Sequence, residues 1–100
     1  MSKDRVIAYG PRLYRTALDF DAVAEIEEEV GSLAALHGRL IDSTWTIGEL
    51  VTVCHILLAR AGCSCDYIAL GQDMVARGFA PYRTVVLQLM KDIFLPGGGE

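Results

Sequence analysis

From Leu50 to Ala61 the chain is apolar around almost the whole circumference of a helix. Leu50, Val51, Val53, Cys54, Ile56, Leu57, Leu58 and Ala61 leave only a polar sliver at Thr52 and His55. A helix that is apolar on every side has to be surrounded by other elements. In a chain of 100 residues, that makes it the axis of one small domain whose other elements exist to cover it. Its start is written as a capping box, Thr46-Ile47-Gly48-Glu49, in which the threonine hydroxyl and the glutamate each satisfy an orphan backbone N–H. Arg60 and Gly62 mark its end. The run is too short, and too often interrupted, to span a bilayer.

The covering elements can be placed from their own signals. Val6-Ile7-Ala8-Tyr9 and Leu13 to Leu18 are rich in β-formers and flank Gly10-Pro11, which predicts a β-hairpin. A lone hairpin is marginal in water, so it must pack on helices or join another sheet edge. Asp19 is a good N-cap for a helix carrying Phe20, Val23, Ala24 and Val30 at helical spacing, with Ile26 beside that face. Gly31 suits the left-handed position that stops it. Ser32 caps a second short helix with Leu33, Leu36 and Leu40 on one side, and 42–45 reads as a loop. After the central helix, Ser64 opens another, with Tyr67, Ile68, Gly71, Met74 and Val75 on one side and Gly78 as its stop. Pro81 fits a first helical position. Tyr82, Val85, Val86, Leu89, Met90, Ile93 and Phe94 follow as a stripe at i, i+3, i+4, i+7, i+8, i+11 and i+12. The expected fold is mainly α, of the α+β class: an N-terminal hairpin, then four to five short helices around a central buried one. Residues 1–4 are expected to be a disordered lead-in, 5–95 one globular domain and 96–100 a flexible tail.

Composition excludes several functions. A net charge of −4 and a thin scatter of basic residues supply no basic stripe for nucleic acid. Arg5, Arg12 and Arg15, with Lys3 nearby, form the densest basic cluster and read as a solvated hairpin face. The N-terminus is polar, without the apolar core of a signal peptide. With no membrane segment either, the chain is expected to be soluble and cytoplasmic. Three cysteines, an odd number, argue against a disulfide framework. An apolar fraction of 52% is high for so small a body: either it fills a thoroughly packed core, or part of it is exposed as surface of the kind that marks self-association or a partner.

No constellation of reactive groups stands out. Cys54, His55, Cys63 and Cys65 are the one cluster a metal could want. Cys63-Ser64-Cys65 is too tight for the usual zinc knuckle, though, and adjacent helical residues diverge by about 100°. Cys54 reads as a small buried hydrophobe. Thiol chemistry at Cys63 would need a base that a third group orients, and His37 and His55 read as structural. Glu25, Glu27, Glu28 and Glu29 radiate from a helix and match no calcium loop. The glycines fall singly or in the tail, so no phosphate cradle exists. No cofactor is expected. The last helix carries the one interaction-grade pattern. Tyr82, Val86, Leu89 and Ile93 are the candidate partner-binding residues, unless the stripe is used up in the domain's own core; both hold if one edge of it stays open.

The stretch from Leu13 to Leu40 carries a resemblance. Leu13-Tyr14-Arg15-x-Ala17-Leu18-Asp19-Phe20-Asp21-Ala22-Val23-Ala24-Glu25-Ile26-Glu27 is followed by Gly31-Ser32-Leu33, Leu36 and Arg39-Leu40. Thr46, Glu49-Leu50 and Ala61-Gly62 continue the pattern. Over roughly residues 5 to 80 this resembles small phage-tail proteins of gene transfer agents, described as tail assembly chaperones or minor tail proteins. The resemblance implies a non-enzymatic role: binding the helical, aggregation-prone tape measure protein while tail tube subunits polymerise around it. Its implied partners are the tape measure protein, the tail tube protein, or further copies of itself. Two alternatives stand beside it. One is a structural tail or head–tail component that stays in the particle, with the hairpin adding to a partner's sheet. The other is a small thiol or metal enzyme using Cys54, His55, Cys63 and Cys65.

Overall fold

The structure, a computed structural model, describes residues 5–95; the expected lead-in at 1–4 and tail at 96–100 lie outside the described residues. Strands β1 (Arg5–Tyr9) and β2 (Arg12–Thr16) form an antiparallel hairpin and are followed by five helices: α1 (Phe20–Val30), α2 (Leu33–Asp42), α3 (Ile47–Arg60), α4 (Tyr67–Arg77) and α5 (Ala80–Phe94). The α+β architecture is the one the sequence predicts.

The apolar helix is central. α3 packs against α1, α4, α5 and β2. Leu50, Val51, Val53, Cys54, Ile56, Leu57 and Leu58 are all buried within it. Its capping box is formed in full: the Thr46 hydroxyl accepts from the Glu49 N–H at 3.1 Å and the Glu49 carboxylate accepts from the Thr46 N–H at 3.0 Å. The other Glu49 oxygen takes a hydrogen bond from Arg39 of α2. The Thr46 N–H first, and the Arg39 guanidinium second, hold the Glu49 carboxyl below its ordinary value. A lowered folded-state pKa stabilises above the unfolded-state value and loses that contribution as pH falls through the folded value. Glu49→Ala is therefore expected to cost about 1 kcal/mol at neutral pH. Chemical denaturation of both proteins checks it, and the gap should close as the pH drops below the usual carboxylate range. A gap that persists at acid pH would mean the carboxylate is not its source.

The hairpin resolves its marginal stability by packing on helices rather than by joining a larger sheet. Gly10 has φ 59°, the positive value that the first central residue of a two-residue hairpin turn requires. The Gly10 N–H donates to Asp73 of α4 at 3.2 Å, and Arg77 holds both the Gly10 carbonyl and Asp73. At the other end Arg5 pairs with Asp92 of α5 at 3.0 Å. Midway, the Tyr82 hydroxyl donates to the Ala8 carbonyl at 2.8 Å. Ile7 and Thr16 point inward and are buried.

Three local expectations are corrected. On α1 the buried residues are Ala22 and Ile26, with Val23 and Val30 half-buried, whereas Phe20 is 82% exposed and Ala24 is exposed. The helix turns its Ala22–Ile26 edge to α3 and so carries Phe20 out to solvent. α4 begins at Tyr67, not Ser64. Asp66 is its N-cap, accepting from the Ile68 and Ala69 N–H groups, and a carboxylate at this position competes well for helix starts. Its buried face is Leu70 and Met74, which leaves Ile68 and Val75 exposed. Finally, 42–45 is not all loop: α2 runs through Asp42 and closes on Ser43 in the left-handed conformation.

Candidate interaction surface

Of the four residues chosen from the α5 stripe, three are committed to the domain's own core. Tyr82, Val86 and Leu89 are 3%, 1% and 2% exposed. Ile93 is half-buried against the same cluster. α5 meets α2, α3 and β1, and these elements take up the ideal part of the stripe. One edge does stay open. Leu87, Gln88, Lys91 and Leu95 on and just past α5 face His37 and Ile41 of α2 across an apolar groove of about 340 Å³. The His37 ring stacks on Phe94 at 5.2 Å. Arg83 ties the two helices at their other end by donating through Nε and Nη2 to the Leu40 carbonyl.

Cys54 and Cys63 are buried and Cys65 is half-buried. The His55 Nε2 lies 2.9 Å from the Cys65 carbonyl oxygen, and its ring meets Tyr67 edge-on. That contact pins the 61–66 connection to α3. Burial pushes the Cys54 thiol up to about 12. Burial first, then the hydrogen bond with Cys63, push the Cys65 thiol up to about 11. A thiol so shifted supplies almost no thiolate at neutral pH, and the thiolate is the nucleophile and the metal ligand. Among the described residues no group of three or more His, Cys, Asp or Glu side chains could hold a metal ion. A polar cleft of about 460 Å³ at Arg15, Thr16, Ala17, Asp19 and Arg60 would suit an anion by residue type. Arg60, however, already pairs with Asp19 at 3.3 Å and Glu25 at 3.2 Å, so an added anion would meet two resident carboxylates.

What remains conspicuous is apolar side chains in solvent. Leu13 is 74% exposed on the hairpin, Ile41 57% on α2 and Leu95 55% after α5. Ile41 and Leu95 line the same groove, whereas Leu13 on β2 and Phe20 on α1 stand on other elements. None was chosen as a binding residue from sequence: Phe20 reads there as part of the α1 stripe, and Leu13, Ile41 and Leu95 belong to no helical stripe. The signal that could have found them is the 52% apolar composition, which is high for so small a body.

Among the described residues, exposed apolar side chains are the most prominent feature of the surface. The chain belongs to a phage tail family of gene transfer agents: the family described as phage tail tube protein, GTA-gp10, matches residues 4–95. No curated protein and no solved structure matches the chain. The family description speaks of the tail tube itself, so it supports the phage-tail resemblance of the sequence and favours its structural alternative over the chaperone. No helix among the described residues is long and apolar enough to cross a membrane.

Proposed function

We propose that the protein is a non-enzymatic structural component of a gene transfer agent tail, which stays in the particle and works by contact with other tail proteins or with copies of itself. The observation that carries this reading is the family match over residues 4–95. The exposed Leu13, Phe20, Ile41 and Leu95 support it, since apolar residues on several elements suit a subunit with neighbours on more than one side. Assembly would take place in the cytoplasm of the producing cell.

A transient chaperone for the tape measure protein is the second reading. It draws on the α2–α5 groove, where Ile41, Leu87 and Leu95 offer apolar contacts to a helix laid between the two helices. The two readings differ in where the protein ends up. Quantitative mass spectrometry of purified particles is expected to find it in stoichiometric ratio to the other tail proteins. Absence from particles, combined with co-purification with the tape measure protein from lysate, would replace the structural role with the chaperone.

A further inference from the structure

The connection between α3 and α4 holds two of the three cysteines, as Cys63-Ser64-Cys65. Burial alternates along it: Cys63 is 6% exposed, Ser64 is exposed and Cys65 is half-buried. Successive side chains of an extended segment point to opposite sides, so the two thiols share the inner side and the serine takes the outer one. They meet there, since the Cys63 and Cys65 thiols are hydrogen-bonded to each other. Cys63 is also hydrogen-bonded to the Tyr14 hydroxyl of β2. The third thiol, Cys54, lies within α3 and is 0% exposed.

The fold holds this pair from both ends. The Cys63 N–H donates to the Leu58 carbonyl at 2.9 Å, and the Cys65 carbonyl oxygen lies 2.9 Å from His55 Nε2. Asp66, next in the chain, is fixed as the N-cap of α4. A disulfide asks for Cα atoms about 4.4–6.8 Å apart. Two residues of fully extended chain span at most about 7 Å, so a slight bend at the exposed Ser64 brings the pair into range. Two sulfurs already in contact, on a segment anchored on either side, are therefore one short movement from a bond.

We propose that Cys63 and Cys65 are a redox modification site, a dithiol that a small disulfide oxidises to an intrachain bridge. Cys65 is the thiol that solvent reaches. Its sulfur attacks one sulfur of the oxidant and releases the other as a thiol, which leaves a mixed disulfide. Cys63 then attacks the Cys65 sulfur, breaking the mixed disulfide and releasing the second thiol. Two electrons pass from the cysteines to the oxidant, and the two cysteine protons leave on the two thiols released. The raised Cys65 thiol slows this in both directions. It supplies little thiolate for the first attack, and it is a poor leaving group when the bridge is reduced. Such a pair is too slow for catalytic turnover; it stays open against a reducing thiol pool and closes where that pool is absent. The site rests on the fold alone and not on the tail reading.

The test treats the full reduced chain with oxidised glutathione for hours, the slow end of disulfide exchange. The remaining thiols are then blocked with N-ethylmaleimide in denaturant, and intact mass and a peptide map are read. The reduced protein takes three labels, one for each cysteine. The oxidised wild type is expected to take one, on Cys54, and to carry a single bridge between Cys63 and Cys65, its mass before labelling lower by two hydrogens. Cys54→Ser should close the same bridge and take no label. Cys63→Ser should stop at the mixed disulfide and keep glutathione on Cys65. Oxidation in denaturant, where Cys54 is released, is expected to give several pairings, so that a single native product reports the folded geometry. The wild-type map decides the matter even if a variant fails to fold. Three labels after oxidation, glutathione retained on wild-type Cys65, a bridge through Cys54 or to a second chain, or the same products with and without denaturant would each overturn the proposal.

Discussion

Leu58→Ala is expected to remove about 3–4 kcal/mol of stability, near the upper part of the range for leucine truncation in a core. Leu58 is 0% exposed on α3. The size of the effect follows from how α3 is held. α1, α4, α5 and β2 all pack on it, and the loss grows with whatever cavity the surroundings cannot close. An element walled on four sides has no free neighbour to settle into the gap. A domain of this length holds roughly 5–15 kcal/mol in total and shifts its Tm by about 4–8 °C per kcal/mol, so a fall of about 15–25 °C is expected in a thermal melt. Ala59→Ser, one residue along and exposed, is the control and should stay within about 0.5 kcal/mol. A loss below about 1 kcal/mol for Leu58→Ala would mean that α3 is not the packed axis described here.

That axis was the most legible part of the fold, because nothing about it depends on direction. A helix apolar all round is buried whichever way it is turned, and the Thr46–Glu49 capping box is a local event complete within four residues. The same locality made the Gly10 turn and the Gly31 stop readable. Amphipathic helices are different, since their orientation is fixed by neighbours. On α1, Phe20 leads an apparent apolar stripe, yet Ala22 and Ile26 are the buried pair. Small Ala22 lets the helix approach α3 closely, and the bulkier Phe20 is left outside. On α4 the sequence reading stopped one residue away from Leu70, which is 0% exposed, and favoured Ile68 and Val75, which face solvent. In both helices a small rotation of the buried face exposes the flanking residues while Ile26 and Met74 stay buried.

The surfaces were hard to read for the reverse reason. The best stripe in the chain, on α5, drew attention as a binding face because it is so regular, but regular stripes are what a domain uses to close its own core. The residues left for a partner are those outside the core: Leu13 on the outer face of a strand, Phe20 at the solvent side of a helix, Ile41 and Leu95 at helix ends. Sorting of charge between the hairpin and α1 was visible in the sequence, but its meaning was not. Only the fold shows that Asp19 and Glu25 pair with Arg60.

Tyr82 separates these two uses of α5 experimentally. Its ring is 3% exposed between α5 and the hairpin, and its hydroxyl donates to the Ala8 carbonyl at 2.8 Å. Burial raises its hydroxyl above the ordinary tyrosine value, so it remains a donor through the neutral range. Tyr82→Ala is expected to cost about 3–5 kcal/mol, as for other buried aromatics, and to release β1 from α5, with the amides of β1 losing hydrogen-exchange protection first. Tyr82→Phe keeps the ring and removes only the hydrogen bond. Ala8 is half-buried, so water can reach its carbonyl and the loss should be about 1 kcal/mol. The ring also borders the groove beside Val6 and Leu13, and the phenylalanine variant preserves that border. It should therefore melt only slightly earlier than the wild type. A docking residue would behave in the opposite way: Tyr82→Ala would leave the melting curve where it is and alter association alone. That result would return Tyr82 to the surface, and with it the reading of the α5 stripe as a binding face rather than the wall that holds the hairpin in place.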